Sequence, residues 1–200
     1  MLIPSRFVAV LLYLVVACVM LACSEGGGTP AFNSADISGA RYAKDFELTD
    51  ASGARRSLAD YRGQLVTVFF GFTQCPDACP TALLLMREVM EKLGPDAEQV
   101  QVLFITLDPE RDTPEVLEYY VTAFDSRFVG LYGSLDETVE VAKEFRVYYA
   151  KAGDLSGMNY TIDHSTGTYV FDREGKIRLH ARHTETAENL AQDLKRLLAE

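Results

Sequence analysis

Two cysteines, Cys75 and Cys79, are the residues of this chain whose type and spacing point most directly to chemistry. They follow an apolar, β-branched and aromatic run at 65–71, which predicts a strand buried on both faces, and they stand where the helical pattern of residues 78–93 begins. Free backbone N–H groups at a helix start lower the pKa of nearby thiols and favour the thiolate, which binds metals or attacks disulfides. We therefore expect a metal site or a redox dithiol at this turn.

The start of the helix is open to two interpretations. Either Asp77 caps it, or Cys79 does so with Pro80 at the first helical position. In an oxidising compartment, the simplest role of a cysteine pair is a structural disulfide. This pair would close a loop too small to constrain the unfolded chain much, and it lies between a strand and a helix, where α/β sheets bind their ligands. We therefore expect a functional pair.

The first 23 residues have the pattern of an export signal, with Arg6 ahead of an apolar run. A small residue before Cys23 and a Gly-rich stretch after it resemble a bacterial lipoprotein signal, in which that cysteine becomes the lipidated N-terminus. Cys18 fits the pattern as well but would leave an apolar mature end. The third alternative is an uncleaved anchor, although the run falls short of the roughly 20 residues of a spanning helix. All three place the domain on the extracytoplasmic face of a membrane in the bacterial envelope, and we expect a lipid anchor at Cys23.

The composition is that of one globular domain with extensions. Of the 200 residues, 48% are hydrophobic and 24% charged, and the formal net charge is −10. Such an acidic chain lacks the basic surface of a general nucleic-acid binder, whereas small molecules, metal ions and proteins stay open as partners. Residues 24–42, rich in Gly, Ser, Ala and Pro, predict a flexible tether without packed structure, and residues 43–200 the folded domain.

The pattern of the remaining chain predicts an α/β domain. Strands and helices alternate through its middle, which indicates βαβ units with parallel strands, and two antiparallel strands and a helix follow. An exposed ribbon or loop is expected at 147–160. This order is the thioredoxin-like plan, extended at its N-terminus by a hairpin at 46–58. The other expected elements are strands at 65–71, 100–108, 129–132, 167–171 and 176–183, and helices at 78–93, 113–124, 135–145 and 187–198.

Three motifs lie in this frame, namely Gly71–Pro80, Asp108–Pro114 and Asp163–Ser165. In this order and spacing they resemble the Sco/SenC family of copper-binding assembly factors of cytochrome c oxidase. The resemblance extends from roughly Ala43 to the C-terminus. Gln74 departs from it, because family members often have histidine just before the first cysteine.

The resemblance implies a thioredoxin-like fold, membrane attachment, and copper bound as Cu(I) and Cu(II) by Cys75, Cys79 and His164. It also implies delivery of copper to the dinuclear copper site of cytochrome c oxidase, or reduction of its thiols, with other copper chaperones or thioredoxin-like reductants as further partners. Two thiolates and an imidazole suit Cu(I) and can hold Cu(II). Because this set would also bind Zn²⁺, the identity of the metal rests on the resemblance.

The alternative function is a membrane-anchored thiol–disulfide oxidoreductase that keeps oxidase cysteines reduced, with Cys75 and Cys79 as its redox dithiol. Thioredoxin-type enzymes place a cis-proline just before the strand that faces the dithiol. This chain has no proline after Pro114, and His164 stands near that place instead. We therefore expect a metallochaperone, and leave thiol–disulfide reductase activity open.

Other polar residues allow two interpretations each. Asp163 either orients a partner of the histidine or starts a turn. The charged residues of 108–112 form either a docking surface for a partner or loop caps and ion pairs. His180 and His183 alternate on a strand with two arginines, which favours a solvated face. The methionines of the helix at 78–93 have helical spacing and are expected in the core rather than on a metal.

Overall fold

The structure is a computed structural model, which describes residues 32–154 and 157–200. Within these residues the chain forms ten strands, four α helices and two short 3-10 helices. The strands are β1 (Ala35–Asp36), β2 (Leu48–Asp50), β3 (Arg55–Arg56), β4 (Leu65–Gly71), β5 (Val100–Thr106), β6 (Val129–Tyr132), β7 (Tyr149–Gly153), β8 (Tyr160–His164), β9 (Gly167–Phe171) and β10 (Ile177–Arg182). The helices are α1 (Ala78–Leu93), α2 (Pro114–Thr122), α3 (Leu135–Glu144) and α4 (Ala187–Leu198), with 3-10 turns at Leu58–Tyr61 and Gly94–Gln99.

Eight of these strands form one mixed sheet in the order β1-β10-β9-β4-β5-β6-β2-β3. Strands β4, β5 and β6 run parallel, β9 pairs antiparallel with β4, and β10 pairs antiparallel with β9. The core on one face of the sheet includes α1, α2 and α4, and the core on the other face includes α3. This arrangement agrees with the predicted thioredoxin-like α/β fold, and the hairpin β2–β3 is the predicted N-terminal extension.

Strand β4 is the centre of the sheet, and all seven of its residues are buried. Leu65 and Phe69 contribute to the core on one face, whereas Val68 and Phe70 contribute to the core on the other. Because β4 pairs with β5 on one side and β9 on the other, neither of its edges is free. The carboxyl end of β4 therefore provides a rigid support for residues 72–79, which carry both cysteines and are called the cysteine turn below.

Residues 32–42, predicted as the last part of a flexible tether, instead pack on the domain. Strand β1 pairs with β10, and the buried carboxylate of Asp193 accepts hydrogen bonds from the N–H groups of Asn33 and Ser34 at 2.9 and 2.8 Å. Local composition predicts flexibility but contains no information on a partner about 160 residues away. The folded domain therefore includes these residues, ahead of the predicted boundary at 43.

The ribbon predicted at 147–160 belongs to a hairpin that stands outside the main sheet. Strand β7 pairs antiparallel with β8, and Tyr149 lies opposite His164. His164 is thus the last residue of a strand.

The predicted export signal, both of its candidate lipidation sites, Cys18 and Cys23, and residues 24–31 of the tether lie outside the described residues. In the part of the chain that the structure describes, no helix has the length and apolar character that crossing a membrane requires.

Candidate metal centre

The cysteine turn is built on the carboxyl end of β4. Cys75 lies half-buried in the loop after this strand. Asp77 occupies the N-cap position of α1, as the first of the two interpretations expected, but its side chain makes no capping hydrogen bond. Cys79 is the second residue of α1 and is fully buried. Its N–H donates to Sγ of Cys75 at 3.4 Å, and both cysteines are free thiols.

Gly71 allows this sulfur to lie close to the sheet. A Cβ atom at Gly71 would be 2.6 Å from Sγ of Cys79 and 2.9 Å from the ring of Phe104. A larger residue would therefore displace the sulfur or the ring. The sequence contains a sign of this contact, since glycine in a strand often marks a close approach, but it does not identify the atoms that approach.

His164 reaches the cysteine turn from the end of β8. Its Nε2 lies 3.6 Å from Sγ of Cys79, and its Nδ1 lies 2.9 Å from the carbonyl oxygen of Ser165. Because a carbonyl oxygen only accepts hydrogen bonds, Nδ1 carries the ring proton and Nε2 presents its lone pair to the sulfur. The rings of Phe69 and Phe72 meet the imidazole nearly at right angles, with centroids 6.3 and 5.9 Å away. The histidine thereby has the tautomer and orientation of a metal ligand.

The structure brings the three predicted site residues together. One ligand atom each from Cys75, Cys79 and His164 lie within 4.8 Å of one another. Since ligand bonds to sulfur and nitrogen are about 2.0–2.3 Å long, two donors on one ion lie at most about 4.6 Å apart. If the three donor atoms moved slightly closer together, all of them could therefore bind one metal ion. Among the described residues, no other group of three His, Cys, Asp or Glu side chains has this arrangement.

Burial controls the protonation of these side chains. It raises the pKa of the Cys79 thiol, and the neighbouring Cys75 and the charge of Asp112 act in the same direction. The prediction that the helix start lowers the pKa of both thiols is therefore wrong for Cys79, where desolvation outweighs the helix dipole. Burial also lowers the pKa of His164, which keeps the imidazole in the neutral form that binds metals. A bound cation would favour the thiolate at Cys79.

Three of the four charged residues of 108–112 form an internal network, and the fourth, Glu110, is exposed and forms an ion pair with Lys151, which agrees with the interpretation as ion pairs. Asp108, Arg111 and Asp112 are all buried, and Arg111 forms an ion pair with Asp108. Asp112 accepts hydrogen bonds from the N–H and the hydroxyl of Thr73 at 3.0 and 2.6 Å. The network thereby holds the first residues of the cysteine turn.

The other candidate side chains are not members of the three-residue group. Asp163 and His183 are exposed. His180 is half-buried, and its ring centroid lies 4.8 Å from that of Tyr169, so the prediction of a solvated face is wrong for this residue. Gly167 on the paired strand has no side chain, which leaves room for the His180 ring against the sheet. The methionines of α1 are buried, as predicted.

Comparison with known proteins identifies the family of this chain. A profile described as SCO1/SenC matches residues 34–199. The SCO2-like protein of Rickettsia felis is 40% identical over 152 residues, which cover 76% of this chain and 74% of that protein. The copper-bound structure of ScoI from Bradyrhizobium japonicum is 39% identical, with a TM-score of 0.70, and the match covers 76% of this chain and 97% of that structure.

A SCO1/SenC family lipoprotein from Bacillus anthracis is also similar. Its structure has a TM-score of 0.70 at 25% identity, and the match covers 85% of this chain and all of that one. The resemblance inferred from the three sequence motifs is therefore confirmed over almost the whole described domain. This chain belongs to the SCO1/SenC family.

Proposed function

We propose that this protein carries copper, which it binds through Cys75, Cys79 and His164 and passes to an acceptor protein. The observation that carries the proposal is the convergence of three donor atoms within 4.8 Å, with the lone pair of Nε2 on His164 facing the sulfur of Cys79. Copper is the cargo of such a protein, so the site must release the ion as well as bind it.

The donor chemistry supports copper as the cargo. Two sulfurs are soft ligands that suit Cu(I), and the imidazole allows the same set to hold Cu(II). Zn²⁺ accepts the same ligands. The choice of copper over zinc is supported by the relative from Bradyrhizobium japonicum, whose structure contains copper.

The acceptor that we propose is the dinuclear copper site of cytochrome c oxidase, which membership of the Sco/SenC family implies. Delivery to a membrane enzyme requires the domain to stay close to the membrane. A lipid on Cys23 would provide this attachment on the extracytoplasmic face of the bacterial envelope. The proposal of a lipid anchor is supported by the pattern of the first 23 residues and by the Bacillus anthracis relative, which is a lipoprotein.

Thiol–disulfide exchange with oxidase cysteines is the second candidate function. It is favoured by the two free thiols at one turn, of which Cys75 is partly exposed and accessible to a partner. Burial opposes it at Cys79, because a raised pKa disfavours the thiolate that attacks a disulfide. Copper carriage is therefore the better-supported function.

The test is the copper content and absorption spectrum of the purified full-length protein in detergent, compared with its Cys75→Ser and His164→Ala variants. We expect one copper per chain with a sulfur-to-copper charge-transfer band, which Cys75→Ser abolishes. His164→Ala should weaken Cu(II) strongly but leave some Cu(I) on the sulfurs. His183→Ala, which removes an exposed histidine that is not one of the three donors, is the matched control and should retain one copper per chain, although the charge of His183 contributes to the lowered pKa of His164.

Two outcomes would decide against this proposal. Wild-type protein that retains no copper, but exchanges disulfides rapidly with a reduced partner, would assign the oxidoreductase function. Equal loss of Cu(I) and Cu(II) in His164→Ala, or loss of neither, would contradict the separate roles of the sulfurs and the imidazole.

A further inference from the structure

The hairpin that carries His164 needs an anchor. Strands β7 and β8 pair only with each other among the described residues, and an isolated two-stranded hairpin is marginally stable in water. The position of His164 at the cysteine turn therefore depends on contacts between this hairpin and the rest of the domain.

Tyr160, the first residue of β8, provides polar contacts of this kind, in addition to the packing of Ile162 in the core. It is 7% exposed, and its hydroxyl donates to Oδ1 of Asp108 at 2.7 Å. Its carbonyl oxygen accepts a hydrogen bond from Nη1 of Arg111 at 2.8 Å. Since side chains alternate along a strand, Tyr160, Ile162 and His164 share one face of β8. An anchor at Tyr160 therefore also orients the face that presents the histidine.

Arg111 connects this anchor to the cysteine turn. Its side chain is 3% exposed, and its Nε forms the buried ion pair with Asp108. Nη1 also donates to Oε1 of Gln74, next to the first cysteine, at 3.2 Å, and to the carbonyl oxygen of Met158 at 3.0 Å. The guanidinium carbon lies 3.7 Å from the centre of the Tyr160 ring. One side chain thus bonds both to the turn that carries the sulfurs and to the hairpin that carries the imidazole.

We propose that Arg111 is a positioning residue of the metal centre, which acts by fixing the β7–β8 hairpin against the cysteine turn so that His164 meets the sulfurs in the metal-free protein. The proposal rests on the proposed function of copper binding and adds a residue that does not touch the ion. It also gives Gln74 a structural role, as the acceptor on the cysteine turn.

The planar, forked guanidinium is essential to this role. Nε of Arg111 binds Asp108, while Nη1 binds the acceptors on Gln74 and Tyr160. A lysine at position 111 would keep the positive charge beside Asp108, but its single nitrogen cannot serve both groups of acceptors in the geometry that two separate nitrogens allow. Arg111→Lys therefore loosens the hairpin without leaving a buried carboxylate unpaired, which would endanger folding. Tyr160→Phe is a milder variant that removes one hydrogen bond to Asp108 and keeps the ring.

The experiment measures Cu(II) affinity and the charge-transfer spectrum of the full-length protein, with Arg111→Lys and Tyr160→Phe made in the wild type and in His164→Ala. We expect Arg111→Lys to weaken Cu(II) about tenfold, the loss expected for one or two hydrogen bonds, and to shift the charge-transfer band. In the His164→Ala background the same change should have no further effect on Cu(II) affinity. Tyr160→Phe should follow the same pattern with a smaller loss, and it decides the question if Arg111→Lys does not fold.

Lys176→Ala is the control. It removes an ion pair to Glu174 between two exposed side chains at the turn between β9 and β10, and such pairs contribute little. Its Cu(II) affinity should stay close to that of the wild type. Unchanged affinity in both Arg111→Lys and Tyr160→Phe, or an equal loss in the His164→Ala background, would overturn the positioning role.

A metal-free measurement separates this proposal from the proposed function. Amide hydrogen exchange in β7 and β8 of the metal-free protein should accelerate in Arg111→Lys and not in Lys176→Ala. If wild-type protein binds no copper, the proposed function fails, and the exchange rates still decide whether Arg111 holds the hairpin. Unchanged exchange in Arg111→Lys would overturn the positioning role even if copper binds.

Discussion

The two sides of the metal centre differ in how the fold supports them. Cys75 and Cys79 are neighbours in sequence and stand on β4 and α1, which belong to the buried centre of the sheet. His164 comes from 85 residues beyond Cys79, on a hairpin that has no strand pairing to that sheet among the described residues. The sulfurs are thus held by the central elements of the fold, whereas the imidazole is held by side-chain contacts of the hairpin, to the loop of Asp108 and Arg111 and to the core through Ile162.

This difference suggests an order of events for a protein that must release its cargo. A ligand on a rigid platform keeps its position with or without the ion, whereas a ligand on a separately anchored hairpin can withdraw at a lower cost in free energy. We therefore expect His164 to leave the ion first during transfer, while the sulfurs still hold it. The following predictions test the contrast between the two sides.

The largest expected contrast is in amide hydrogen exchange. In the metal-free protein, amides of β7 and β8 should exchange roughly a hundredfold faster than those of β4 and β5, because local openings range in free energy from near zero to that of global unfolding. Copper should slow exchange in the hairpin and leave the central strands almost unchanged. Equal exchange rates in the two regions would show that the hairpin is as firmly held as the sheet.

Gly71→Ala should damage the cysteine side and global stability together. The added methyl group would meet Sγ of Cys79 and the ring of Phe104, which are both buried in the core. Overpacking of this kind costs about 1–3 kcal/mol, which urea unfolding will measure, and the displaced sulfur should weaken copper binding.

Gly157→Ala on the hairpin side is the matched control, because a Cβ atom there has no neighbour within 4 Å. It should leave both stability and copper binding unchanged. A Gly71→Ala variant with wild-type stability would mean that the core beside β4 adjusts more easily than its packing indicates.

The smallest expected effect is a pH dependence at Asp112, which holds the cysteine turn through Thr73. Burial raises the pKa of Asp112 above its usual value of 3.8, and hydrogen bonds from Thr106 and Thr73 oppose this rise only in part. The stabilisation that follows from a raised pKa is complete below 3.8 and is lost as the pH rises through the pKa of the folded state. Each unit of pKa difference corresponds to about 1.4 kcal/mol.

We therefore compare the free energy of unfolding of the wild type with that of Asp112→Asn between neutral pH and pH 4. As the pH falls, the free energy of unfolding of the wild type should rise relative to that of Asp112→Asn, because asparagine cannot take up the proton. A difference that stays constant over this range would mean that Asp112 has the same pKa in the folded and unfolded states.

The sequence alone was sufficient for most of the architecture, and its resemblance to a family pointed to the three candidate site residues, which the structure brings together. Periodicity placed β4 and α1 within a residue or two of their observed bounds, since a fully apolar run and an amphipathic helix that ends at glycine are strong local signals. The spacing of Cys75, Cys79 and His164 within three motifs indicated the family. Each element and each motif is encoded by residues close together in the chain, whereas the contact between Cys79 and His164 is not.

Only the tertiary structure decided the features that depend on distant neighbours. Thiol pKa at Cys79 follows from burial rather than from the helix start, and residues 32–42 are ordered by Asp193 and β10. The role of Arg111 arises because three segments distant in sequence place acceptors around one guanidinium. Desolvation and convergence are properties of the packed chain, so no local pattern of residues contains them.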